Sequence, residues 1–235
     1  MSNNVEVVNP LRNQLSWLWY SAIVSSVLAT IFVTVVMLRD VTPSKAFTWH
    51  PILMCLSFLV CMSQGMNQFV GSRLFSLPDS TKSRRNHAMY QFLAFLSAIG
   101  GWSAIYIAHS HGKGHSAKGD PMLKVIHTWL GYFVLLGVTI QTIVGIMKYI
   151  SLPRKLAKWH GALYAGPMIW FCGCVNIFLA LSFWMSATYN SGVKLVASFC
   201  VVWTVLTTTY FKVYIPKEST EEEESLLTNT DDPVA

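Results

Sequence analysis

Residues 50–71 read His-Pro-Ile-Leu-Met-Cys-Leu-Ser-Phe-Leu-Val-Cys-Met-Ser-Gln-Gly-Met-Asn-Gln-Phe-Val-Gly, without one Asp, Glu, Lys or Arg. A helix needs roughly 20 apolar residues to cross a hydrocarbon core of about 30 Å, and this stretch is long enough. Working outward, five more runs of the same kind follow: Trp17–Leu38, His87–Ala108, Val125–Met147, His160–Trp184 and Val193–Tyr214. A barrel would need shorter, alternating strands. The expected fold is therefore an all-α membrane protein, with six transmembrane helices in a bundle. Short connections make sequence neighbours antiparallel neighbours. Composition agrees, since 53% of the chain is hydrophobic and 12% charged, against about 25% charged in soluble domains.

The net charge of +6 is unevenly spread. Seven of the eleven acids lie in the tail: Glu218, Glu221, Glu222, Glu223, Glu224, Asp231 and Asp232. The bases sit between apolar runs and are not interleaved with aromatics, which argues against nucleic acid as a partner and for the lipid bilayer. One side of the bundle collects Arg12, Arg73, Lys82, Arg84, Arg85, Lys148, Arg154, Lys155, Lys158, Lys212 and Lys217. The other collects Arg39, Lys45, Lys113, Lys118, Lys124 and Lys194. The richer side is expected to be cytoplasmic, which puts both termini there. Three parts follow: a cytoplasmic segment 1–16, a six-helix domain 17–214 and an acidic, disordered cytoplasmic tail 215–235. The polar first sixteen residues and a first run long enough to span argue against a cleavable leader. Cys55, Cys61, Cys172, Cys174 and Cys200 all fall inside apolar runs and read as small buried hydrophobes.

Asp40, Asp79, Asp120 and Glu6 lie outside the apolar cores. Pumps and secondary transporters usually place such groups along their path, so cation transport is disfavoured. The histidines carry the chemistry instead. His50, His87, His127 and His160 each stand at the start of the second to fifth runs. Because consecutive helices alternate in direction, His50 and His127 fall near the non-cytoplasmic face, His87 and His160 near the cytoplasmic one. Two nitrogens on opposite sides of one metal are roughly 4 Å apart, twice a bond of about 2 Å. Only His50 with His127, and His87 with His160, can meet that condition.

Each site then offers two imidazoles and no thiolate or carboxylate at the same depth. A structural zinc wants four ligands, whereas a haem brings four nitrogens and needs two axial ligands. Two haem b groups, held between the second to fifth helices, are the expected cofactors, with the four histidines as axial iron ligands. Gly100, Gly101, Gly131, Gly145, Gly161, Gly166 and Gly173 are available to make room for the rings. Helix N-termini suit the propionates, and the same dipole end keeps each imidazole neutral. With both axial positions filled, electron transfer is the expected role.

At these residues the chain resembles the cytochrome b561 family, in particular the short cytochrome b561 domain-containing proteins of animals. The matching pieces are Phe47-Thr-Trp-His-Pro-Ile-Leu-Met54, Lys82-Ser-Arg-Arg-Asn-His87, Ile126-His-Thr-Trp-Leu-Gly131 and Trp159-His-Gly-Ala-Leu-Tyr-Ala-Gly166. The resemblance covers roughly residues 17 to 214, and its specificity lies in the ordered set of four. It implies six helices, two b haems, and electrons passed from cytoplasmic ascorbate to monodehydroascorbate radical or ferric iron on the other side, by a transmembrane oxidoreductase. It also implies that Arg73 contacts a haem and that Lys82 contacts ascorbate.

Around the cytoplasmic haem, Lys82, Arg84, Arg85, Arg154 and Lys155 can hold an anionic donor or pair with propionates; the plainer reading is topology enforcement. His109, His111, Lys113 and His115 can guide an acceptor to the outer haem, or simply belong to a solvated Gly-rich loop. Residues Glu222-Glu-Glu-Ser-Leu-Leu227 read as an acidic dileucine sorting signal, consistent with an endomembrane (endoplasmic reticulum, endosome, lysosome or vesicle). The architecture admits a homodimer. The competing function is a metal-ion transporter of the membrane, suggested by the helices and the His-rich loop.

Overall fold

The second apolar run becomes the hub of the fold. The computed structural model describes residues 10–41, 43–74, 80–110, 122–150, 165–184 and 191–214, and every regular element among them is helical. The hub consists of α2 (Ala46–Cys55), a π-helical turn (Leu56–Met62) and α3 (Ser63–Leu74), which follow one another without a break. Around it stand α1 (Pro10–Asp40), α4 (Ser80–Ser110), α5 (Met122–Ile150), α6 (Ala165–Trp184) and α7 (Ser191–Tyr214). The hub packs against α1, α4, α6 and α7. From Cys55 to Asn67 all but three residues are buried. A helix covered on every side needs apolar or small residues all round, and Cys55, Ser57, Phe58, Leu59, Cys61, Met62 and Ser63 supply them.

The outer helices show the opposite pattern. On α1, Ala22, Ser25, Ser26, Ala29 and Val33 are buried, while Val24, Leu28, Ile31 and Val35 are exposed. The buried set repeats every three to four residues, as one helix face does. Its small side chains let α7 come close, as membrane helix interfaces do. Ser25 Oγ and Thr204 Oγ1 meet at 2.8 Å, and Trp203 Nε1 donates to Ser21 Oγ at 3.0 Å. First and last helices thereby close the bundle. The exposed Val, Leu and Ile have hydrocarbon as their natural solvent, and the chain is an integral membrane protein.

Among the described residues, five spans are long and apolar enough to cross a membrane: Gln14–Asp40, Ala46–Gln68, Lys82–Ser110, Met122–Met147 and Ala165–Ser182. The helix α7 carries a shorter apolar stretch, Leu195–Tyr210. The sixth expected run, Val193–Tyr214, extends beyond that stretch at both ends. Most helices also extend past the apolar runs. The polar residues Ser80-Thr-Lys-Ser-Arg-Arg-Asn86 already belong to α4, because a hydropathy run marks the hydrocarbon part of a helix and not its ends. All five cysteines are free; Cys172 is half-buried and the rest buried. The tail 215–235 and the segment 1–9 lie outside the described residues.

Candidate functional site

His50 and His127 reach each other from α2 and α5. Their ring centroids lie 6.5 Å apart, with the ring planes near perpendicular at 89°. Two metal–nitrogen bonds of about 2 Å plus the two half-rings give a centroid separation of roughly 6 Å for a pair of axial imidazoles. The observed spacing fits that requirement.

Each ring is also oriented from behind. His50 Nδ1 donates to the Gly101 carbonyl of α4 at 2.9 Å, and His127 Nδ1 to the Asn176 carbonyl of α6 at 3.1 Å. His87 repeats the arrangement, with Nδ1 at 2.7 Å from the Gly65 carbonyl of α3. A carbonyl can only accept, so in the neutral ring the proton sits on Nδ1 and Nε2 keeps its lone pair. This is the tautomer of a metal-ligating imidazole, and the bond behind it raises ligand basicity.

His109 shows what an imidazole without such placement does. Its Nδ1 bonds to Ile105 O at 2.9 Å, one turn back in its own helix. His50, His87 and His127 all reach across to another helix. That difference separates the three from a histidine whose Nδ1 bonds within its own helix.

Helix dipoles, expected to keep the imidazoles neutral, do not reach these three. His50 is the fifth residue of α2, His127 the sixth of α5 and His87 the eighth of α4. The dipole's influence fades within the first turn. Carbonyls of neighbouring helices, not helix ends, fix which nitrogen of the neutral ring carries the proton.

The glycines also divide differently. A methyl group on Gly101 would sit 3.3 Å from His50 O, and one on Gly65 2.7 Å from Gln91 Nε2. These are close helix approaches that bring the accepting carbonyls within reach. Gly100 abuts Leu53 and Gly173 abuts the Phe58 ring, so they too serve helix contact. Gly131 faces Asn176 Nδ2, whereas Gly145 and Gly166 border open space. Gly161 lies outside the described residues.

Sequence reasoning missed the accepting residues Gly65 and Asn176. Asn176 was the more visible, as a lone amide in an apolar run; its Oδ1 is buried without a hydrogen bond. At the start of α4, Lys82, Arg84 and Arg85 are exposed. Asn86 Nδ2 donates to Gln68 Oε1 at 3.3 Å. The backbone of Arg73 continues α3. His160, Arg154, Lys155, His111, Lys113 and His115 lie outside the described residues. Among the described residues, no group of three or more His, Cys, Asp or Glu could hold a metal ion.

A family model described as eukaryotic cytochrome b561 matches residues 49–188. Bovine (Bos taurus) transmembrane reductase CYB561D2 is 31% identical over 189 residues, 75% of this chain and 78% of the relative. The human (Homo sapiens) protein of that name is 31% identical over 188 residues, with the same coverage. A bovine lysosomal membrane ascorbate-dependent ferrireductase, CYB561A3, is 29% identical over 109 residues, 44% of this chain and 37% of the relative.

Proposed function

The chain belongs to the eukaryotic cytochrome b561 family, and from that premise we propose that it carries electrons through two b haems from cytoplasmic ascorbate to an acceptor across the membrane. The family is one of haem b proteins, and its members here are transmembrane reductases. The chain is accordingly an oxidoreductase of transmembrane electron transfer; a metal-ion transporter is not favoured. The finer reading has six spans with both termini cytoplasmic. Monodehydroascorbate radical or ferric iron is the acceptor. A relative's lysosomal name and the Glu-rich dileucine segment support an endomembrane location.

One observation carries the reading: His50 and His127 stand at 6.5 Å with both Nδ1 protons spent on carbonyls of other helices. His50 and His127 hold the outer haem; His87 and His160 hold the cytoplasmic one. Bound haem supplies a one-electron carrier at each depth. The protein's own part is to set each imidazole's tautomer so that Nε2 can serve iron, and to keep the site within a low-dielectric bundle. Arg73 pairs with the cytoplasmic haem. Lys82, Arg84, Arg85, Arg154 and Lys155 collect an anionic donor at the same face. The exposure of the three on α4 supports that role. His109, His111, Lys113 and His115 receive the acceptor on the far side.

The test begins with the chain purified under haem supply. It should be red, with about two haems per chain. In vesicles loaded with ascorbate, external ferric chelate should be reduced. A colourless preparation would end the reading. A red preparation that ascorbate cannot reduce would retain the haems and remove the donor.

A further inference from the structure

Three side-chain-to-backbone bonds between the hub and the antiparallel helix α4 are unevenly spaced. His50 Nδ1 bonds to Gly101 O, Ser57 Oγ to Ala94 O, and His87 Nδ1 to Gly65 O. Along α4, fourteen residues separate His87 from Gly101. Along the hub, fifteen separate His50 from Gly65. Fourteen residues are close to four turns of α-helix at 3.6 residues each, so both partners on α4 share one face. Fifteen residues of plain α-helix would swing Gly65 about 60° away from that face. The extra residue is absorbed by the π turn Leu56–Met62, since a π turn is a local widening of the helix. The turn therefore sets the register by which the Gly65 carbonyl meets His87.

The widened turn leaves the Phe58 carbonyl able to accept from elsewhere, and α6 takes it up. Trp170 Nε1 donates to Phe58 O at 3.0 Å and to Ser63 Oγ at 2.9 Å. Ser63 Oγ in turn donates to Phe58 O at 3.2 Å. Phe58, Ser63 and Trp170 are all buried, so water cannot replace these bonds. The Phe58 ring fills the space beside Gly173, one turn along α6. The helix α6 thus grips the π turn by its carbonyl and by its ring.

We propose that Trp170 is a positioning residue for His87: by pinning the Phe58 carbonyl and Ser63 it holds the π turn that aligns Gly65 O with the His87 ring. The inference rests on His87 being a haem ligand. Loosening the π turn lengthens the bond behind His87 and makes the imidazole a poorer electron donor to iron. Its haem then becomes easier to reduce.

The experiment is a redox titration of the full-length haem-loaded protein carrying Trp170→Phe, with His50→Ala and His87→Ala used to assign which transition belongs to which haem. The expected result is a rise of about threefold to tenfold in the reduction equilibrium constant of the haem assigned to His87, tenfold being 59 mV for one electron. The His50 haem should not move. Ser63→Ala keeps the indole and removes one of its two acceptors, so it should shift the same transition in the same direction by less. It also decides the matter if Trp170→Phe fails to fold. A red protein in which both potentials shift equally, or neither shifts, overturns the positioning role. So does a slower electron passage between haems with both potentials unmoved, because that makes Trp170 a conduit. If His87→Ala disturbs no haem, the ligand assignment fails and the inference falls with it.

Discussion

The helices that bear the candidate ligands and the pair α1–α7 are joined in different ways. Between the hub, α4, α5 and α6, imidazole and indole N–H groups donate to backbone carbonyls of other helices: His50 to Gly101, His87 to Gly65, His127 to Asn176 and Trp170 to Phe58. Between α1 and α7, the joints are hydroxyls meeting hydroxyls or an indole, Ser25 with Thr204 and Trp203 with Ser21. A carbonyl anchored in a helix cannot rotate, so it fixes the direction of a donor ring. A hydroxyl rotates to suit its partner and fixes only proximity. The first kind of joint orients; the second holds a wall in place.

The sharpest way to break this contrast is to remove an oriented ring. His50→Ala and His127→Ala should each abolish the same haem, leaving about half of the bound haem and a single reductive transition. Haem stoichiometry and the difference spectrum measure it. Loss of different haems by the two variants would undo the pairing drawn from their 6.5 Å separation. His109→Ala is the control: its ring bonds back within its own helix, and the haem content should not change.

A smaller effect is expected from the glycines. A Cβ on Gly173 would overlap the Phe58 ring, while one on Gly145 meets nothing within 4 Å. Overpacking a filled interior costs about 1–3 kcal/mol. Gly173→Ala should therefore lower the detergent unfolding midpoint clearly, and Gly145→Ala should leave it within roughly 0.5 kcal/mol of the original. Equal effects at both positions would mean that α6 does not grip the π turn as its geometry requires.

The two kinds of joint were unequally legible in the sequence. A histidine at the edge of an apolar run is conspicuous, because an imidazole there needs a reason, and alternating helix direction sorts His50 with His127 without any coordinates. The acceptors were not visible. Every residue carries a carbonyl, so nothing in the letters singles out Gly65, Gly101 or Asn176. The π turn had no signature either, since Leu56-Ser-Phe-Leu-Val-Cys-Met62 reads as ordinary helix. Only its partners on α4 and α6 reveal the extra residue. The glycines were noticed but given the wrong task in part. Small residues allow close approach of whatever lies opposite, and composition does not say whether that is a ring or another helix.

The least effect belongs to the α1–α7 wall. Thr204 Oγ1 contacts Ser25 Oγ at 2.8 Å and also donates to the Cys200 carbonyl in its own helix at 2.8 Å. Thr204→Val keeps the shape and deletes the hydroxyl, while the Ser25 hydroxyl, which has a single proton to give, turns to Ala22 O at 3.1 Å. Nothing is left stranded. Interhelical hydrogen bonds of this kind in membranes are worth about 0.6 kcal/mol, so stability should fall by roughly that amount. Neither haem potential should move, because no residue of this seam lies behind a candidate ligand. A shifted potential in Thr204→Val would show that the wall transmits to the site. In that case the hub, which touches α1 and α7 as well as α4 and α6, is the element through which it must do so.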